Sequence, residues 1–268
     1  MSQTLIPVIA AIFVWWFATG AILLAVRWAD RQGGGAHGTV LFAAVPMLAL
    51  GTAGVIASVS SETVAGVYAG FLGALAIWGW IEMAFLTGIV AGPERRDCPA
   101  GLTGAARFER AWNTVAHHEI ALALGLLAIV VATSGQPNRV ALWTYLILFC
   151  ARISAKLNLF FGVPRINMEF IPAKLIHLKS YFRRGSVTIA FPAAITVLSF
   201  ALACFIERLI AADSALKEAE FTLLAALAAL ALLEHWLMVV PLPDAKLWRW
   251  MLPEPKTHPE EERQTHGL

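Results

Sequence analysis

The sequence predicts an all-α fold: a polytopic membrane helix bundle of seven transmembrane helices, with the N-terminus periplasmic and the C-terminus cytoplasmic. Three observations predict it. The chain is 59% hydrophobic and only 14% charged, with a mean hydropathy of +0.69, where soluble domains carry about 25% charge. Seven apolar stretches reach the roughly 20 residues that a bilayer core demands of a helix. Lysine and arginine are concentrated in alternate connections, as the positive-inside rule requires.

The spans follow in order. The first, 5–26, lies in MSQTLIPVIAAIFVWWFATGAILLAV; it lacks a basic n-region and is followed by Arg27 and Arg31, so it reads as a retained helix and not a signal peptide. RQGGGAHG separates it from 39–59, where Pro46 predicts a kink. VSSE leads to 64–90, which carries Gly66-x-x-x-Gly70 with Gly73 one turn on, a spacing that lets a neighbouring backbone approach. GPERRDCPAG precedes 112–132, and SGQPNR precedes 140–161. The sixth span, 187–206, contains Pro192, a second predicted kink; AADS precedes the seventh, 221–240. Between spans five and six, FIPAKLIHLKSYFRRG spaces Leu175, Leu178 and Phe182 helically among Lys174, Lys179, Arg183 and Arg184. It reads as either an amphipathic helix on the cytoplasmic leaflet or an ordinary basic loop.

Connections after spans one, three and five, with the C-terminal tail, hold 15 of the 20 Lys and Arg; the N-terminus and the other connections hold 3. An odd number of spans agrees with ends on opposite sides. Residues 1–252 read as one transmembrane domain and 253–268, PEPKTHPEEERQTHGL, as a disordered cytoplasmic tail holding His258 and His266. Trp112, Trp143, Trp248 and Trp250 fall where interfacial aromatic belts are expected.

Several function classes are excluded. The net charge is +2 and no basic run is interleaved with aromatics, so nucleic acid is not a partner. The three cysteines form no CxxC; Cys150 and Cys204 are expected to be buried small hydrophobes. There is no HExxH, glycine-rich phosphate loop or Ser-His-Asp arrangement.

Polar residues inside the spans carry the functional interest. Span three holds Glu82, span four His117, His118 and Glu119, span five Arg152, Lys156 and Asn158, and span seven Glu234 and His235. At 1.5 Å per residue, Glu82, His118, Lys156 and Glu234 fall about 8–12 Å above the cytoplasmic ends of their spans, with Arg152 a turn deeper. A charge near the centre of a membrane helix costs roughly 2.5–3.5 kcal/mol. The expectation is therefore one buried polar cluster in the inner half of the bundle, shared by spans three, four, five and seven.

Four uses of such a cluster are open: a structural ion-pair network, a tetrapyrrole site, a metal centre, or a proton or ion pathway. A tetrapyrrole could take an axial imidazole from His117, His118 or His235, with Trp78, Trp80 and Trp236 packing nearby. Adjacent acid–base pairs diverge by about 100° on a helix, and Arg152 and Lys156 repel cations, so a dimetal site is disfavoured. His177 is expected at the interface and not as a ligand.

Taken together, FVWWFATGAIL, WGWIEMAFLTGIVAGPERRDCP, RISAKLNLFFGVPR and LEHWLMVVPLPDAKLWRW resemble the PuhE family of photosynthetic complex assembly proteins of phototrophic bacteria. The resemblance covers about residues 8–252. It implies a bacterial inner-membrane protein that assists assembly of the reaction centre and light-harvesting complex, or modulates bacteriochlorophyll supply. Its partners would be subunits of those complexes or pigment-synthesis proteins, and bacteriochlorophyll a possible ligand. No catalytic residue is implied. The alternative is a membrane metalloenzyme of pigment or carotenoid metabolism. A transporter is disfavoured by the absence of an internal repeat and of Gly/Pro-broken span pairs.

Overall fold

The structure, a computed structural model, describes residues 2–242. The tail at 253–268, with His258 and His266, and the belt residues Trp248 and Trp250 lie outside the described residues. Among those described there are eight α-helices, two 3-10 segments and no strand: α1 Ser2–Gln32, α2 Ala36–Ala43, α3 Val45–Ser58, α4 Val64–Leu86, α5 Gly104–Thr133, α6 Val140–Phe161, α7 Ala190–Ile210 and α8 Ala215–Leu237. Six segments are long and apolar enough to cross a membrane: Thr4–Gln32, Ala36–Ser58, Val64–Leu86, Gly104–Thr133, Val140–Phe161 and Ala190–Ile210.

α8 is not among these six; with α4 it is one of the two most buried helices. It is Ala- and Leu-rich around its circumference, the pattern of a helix enclosed on all sides. Leu223, Leu224 and Ala228 retain no exposed surface and pack with Val67 and Phe71 of α4, Ile147 of α6, Leu198 of α7 and Ala11 of α1. A second core joins α3, α4, α5 and α6 through Val55, Ala74, Leu122 and Tyr145, with Trp78 edge-on to Tyr145 at 5.1 Å.

Neither proline bends the middle of a helix. Span two divides at Ala44 into α2 and α3, and Pro46 occupies the first turn of α3, where its missing N–H costs nothing. Pro192 sits in the first turn of α7. Thr63 caps α4 by accepting the Gly66 N–H at 3.1 Å. The glycine row of α4 packs within the chain: a Cβ on Gly73 would lie 2.7 Å from the Gly51 carbonyl oxygen and 2.9 Å from the Val55 nitrogen. α4 is thereby held against α3.

α5 begins eight residues earlier than its apolar stretch. Charged Arg107, Glu109 and Arg110 are invisible to hydropathy yet compatible with helix. Arg107 earns its place there by donating to the carbonyls of Tyr181 at 2.6 Å and Phe160 at 3.3 Å, its guanidinium 4.2 Å over the Phe160 ring.

The basic connections gather at one end of the bundle. Arg27 donates to the Glu169 carbonyl and Asp30 accepts the Ala173 N–H at 3.2 Å. Cys98 N–H donates to Ser180 Oγ at 2.8 Å, and the Tyr181 hydroxyl donates to the Arg96 carbonyl at 3.1 Å. Arg165 N–H donates to the Met238 carbonyl at 3.0 Å, bringing the end of α8 into the same layer.

The segment that reads as either an amphipathic helix or an ordinary basic loop takes a third form. It is a kinked 3-10 segment, Ala173–Tyr181. Its apolar side chains Leu175 and Leu178 pack on Phe85 and Ala91 of the chain itself, while Lys174, Arg183 and Arg184 stay exposed. His177, expected at the interface, is buried in this layer. Burial holds its imidazole below the usual histidine range, with the Arg95 charge acting in the same direction. The unfolded chain then binds the extra proton, so this contribution to stability is present above about pH 6.5 and is lost as the pH falls toward the depressed folded value. A His177→Asn variant should therefore show a flatter fall in melting temperature below about pH 6.5 than the natural chain in the same detergent. Parallel curves would refute this.

Cys150 and Cys204 are exposed on the bundle surface, not buried as expected. A small apolar side chain is as comfortable against lipid as against protein, so apolarity alone does not place it inside.

Candidate functional site

α4, α5 and α6 bring five of the nine singled-out residues together. Glu82 Oε2 of α4 accepts from Arg152 Nη2 of α6 at 2.8 Å. Its other oxygen, Oε1, faces His118 Nε2 of α5 at 3.6 Å, just beyond hydrogen-bonding reach. Lys156, one turn along α6 from Arg152, donates to Glu119. Phe85 lies between these pairs: its ring is 4.3 Å from the His118 ring, with Lys156 Nζ at 5.3 Å and the Arg152 guanidinium carbon at 5.7 Å from its centroid. Both cations fall inside cation–π range. Two carboxylates therefore meet two cations, and the cluster is neutral when His118 is neutral. That balance lets four ionisable groups leave water together.

Adjacent residues on α5 part company. His118 retains no exposed surface and Glu119 only 6%, while His117 lies on the outer surface. A 100° step between neighbours is enough to put His117 on the outer side of the face that His118 and Glu119 share.

The pair on α8 takes other partners. Glu234 is exposed and accepts the Trp15 Nε1–H of α1 at 2.8 Å. His235 is buried: its Nδ1 lies 2.8 Å from the Ala231 carbonyl and its Nε2 2.8 Å from Ser154 Oγ of α6. The neutral tautomer that fits donates from Nδ1 and accepts the Ser154 hydroxyl at Nε2. Asn158 is buried and donates to the Ser154 carbonyl at 2.9 Å, within α6. The hydrogen bonds and ion pairs fall into two sets, one on α4–α5–α6 and one on α1–α6–α8, with α6 common to both and Glu234 within electrostatic reach of Arg152 and Glu82.

The sequence pointed to none of Phe85, Trp15, Ser154 or the segment after α4. That segment matters. His118 N–H donates to the Ala91 carbonyl at 2.9 Å, and Glu94 N–H donates to the Asn113 carbonyl at 3.1 Å, so residues 91–94 run along the backbone of α5. Glu94 secures the segment by pairing with Arg110 at 2.8 Å. The Arg96 N–H donates to its carboxylate at 2.8 Å and, with Arg110, holds it below the usual carboxylate range. Gly88 and Gly92 in GIVAGPERR were the available signal of a close backbone approach.

Among the described residues, no group of three or more His, Cys, Asp or Glu is placed to hold a metal ion. Glu82 and Glu119 are instead committed to Arg152 and Lys156.

A family described as "Protein of unknown function (DUF3623)" matches residues 1–259. A protein of Rhodobacter capsulatus described as "Uncharacterized 30.4 kDa protein in puhA 5'region" is 47% identical over 253 residues, covering 94% of this chain and 92% of that protein. No solved structure matches.

Proposed function

The chain belongs to the DUF3623 family, and from that premise we propose that it assists biogenesis of the photosynthetic reaction centre and light-harvesting complex, or regulates the bacteriochlorophyll supplied to them. The observation that carries this proposal is the relative's description, which places it in the puhA 5' region. The resemblance to PuhE proteins supports it. Its partners would be subunits of those complexes or pigment-synthesis proteins.

The protein would reside in the bacterial inner membrane with α8 as a seventh span, the N-terminus periplasmic and the C-terminus cytoplasmic. The contact between Arg165 and Met238, which brings the end of α8 to the basic end of the bundle, supports that topology. Glu82, Glu119, Arg152 and Lys156 would act as a scaffold, because each is already engaged by a side chain of opposite charge. Histidines remain as the residues through which pigment would be held.

The test is deletion of the gene in a phototrophic host. The expected result is a several-fold fall in the near-infrared absorption of assembled complexes per unit membrane protein, restored by the natural gene. Unchanged complexes and pigment content in the deletion strain would refute the proposal.

A further inference from the structure

We propose that His117, with the apolar groove that continues from it along α5, binds a magnesium tetrapyrrole bearing a long apolar tail. This rests on the pigment-linked function above and names the site for it.

The three intramembrane imidazoles are not equivalent. An axial ligand needs a free ring nitrogen that a macrocycle can reach. His118 has no exposed surface, and its ring lies against Phe85. Both nitrogens of His235 are engaged by Ser154 and Ala231. His117 alone of the three is on the outer surface, and it has no hydrogen-bond partner among the described residues. It lies five residues inward of Trp112, itself 46% exposed, and so faces the hydrocarbon region. A polar nitrogen there is costly unless something binds it.

Above His117 is a cavity of about 580 Å³ between α3, α4 and α5. Ile56, Ile77, Trp80, Ala121, Leu124 and Ala128 form much of its wall. Ala121 is one turn and Leu124 two turns from His117, on the same face of α5 by helical periodicity. The hydroxyl of Thr52, which also lines it, is spent on the Leu48 carbonyl at 2.9 Å. The groove thus offers hydrocarbon contact and little hydrogen bonding, and its volume is that of an ordinary small-molecule site.

An occupant that offers a Lewis acid to the His117 nitrogen and an extended apolar body to the groove would use both features of the site. A lipid acyl chain uses only the second. A metallotetrapyrrole uses both, its metal on His117 and its tail in the groove. A single imidazole, with the bilayer on the opposite face, suits magnesium, which is content with five-coordination, better than low-spin iron, which takes two axial ligands.

The experiment uses the full chain, produced in a host without bacteriochlorophyll and titrated with bacteriochlorophyll in mild detergent. Bound pigment is read from induced circular dichroism in its red band and from the pigment-to-protein ratio after gel filtration. The natural chain should bind one pigment saturably. His117→Ala and the groove-filling Leu124→Trp should each weaken binding by at least about tenfold while staying monodisperse. Magnesium-free bacteriopheophytin should bind as weakly as pigment does to His117→Ala. No saturable binding, natural affinity in both variants, or haem binding more tightly than bacteriochlorophyll would overturn the proposal. Failure of the site and failure of the role are separable. A His117→Ala gene that restores complexes fully in the deletion strain removes the site alone, whereas a deletion strain with normal complexes removes the role.

Discussion

Gly92→Ala should leave little folded protein. A Cβ at this position would stand 2.1 Å from the Asn113 carbonyl oxygen and 2.5 Å from the Thr114 carbonyl carbon. Both are backbone atoms of α5, so no side chain can swing aside. Relief would require residues 91–94 to leave α5, breaking the His118–Ala91 and Glu94–Asn113 hydrogen bonds. The methyl would also displace Ala91, which shares a core with Phe85, the ring on which His118 rests. Overpacking of this kind costs about 3 kcal/mol or more. The check is thermal unfolding in detergent beside Gly38→Ala, a control at a glycine with open space around it. Equal melting temperatures for the two variants would contradict the placement of 91–94.

The second large effect belongs to Glu82. Glu82→Ala should cost about 2–3 kcal/mol, because it takes the carboxylate at 2.8 Å away from the partly buried Arg152 guanidinium. Lys156 lies one turn away on the same face and would be repelled once the carboxylate is gone. Loss of stability should appear as a lower melting temperature and reduced yield from membranes. A variant as stable as the natural chain would mean that the Arg152 charge is dissipated elsewhere.

The helices were legible in the sequence and their mutual facing was not. Apolar length located α4 and α6 to within a few residues, since both begin and end at breakers such as Thr63, Gly88 and Gly162. The meeting of Glu82, His118, Glu119, Arg152 and Lys156 was legible because buried charge must pair, and their helices carry those charges at a common depth. The Trp15 bond to Glu234 was not legible, because a tryptophan in an apolar run gives no sign of being a donor. Which of His117 and His118 faces inward needed coordinates, because the two are neighbours on one helix. Cys150 and Cys204 show the same ambiguity. At 173–181 the apolar spacing was legible and its target was not: Leu175 and Leu178 pack on Phe85 and Ala91, distant in sequence.

Central to the account is that Glu82 and Arg152 neutralise each other across α4 and α6. A double-mutant cycle measures this most directly, with Glu82→Leu, Arg152→Leu and the double variant compared by unfolding in one detergent. Each single variant should be destabilised, and the double variant should recover most of that loss, giving a coupling well above about 0.5 kcal/mol. Additive losses, with the double variant the least stable of the three, would contradict it.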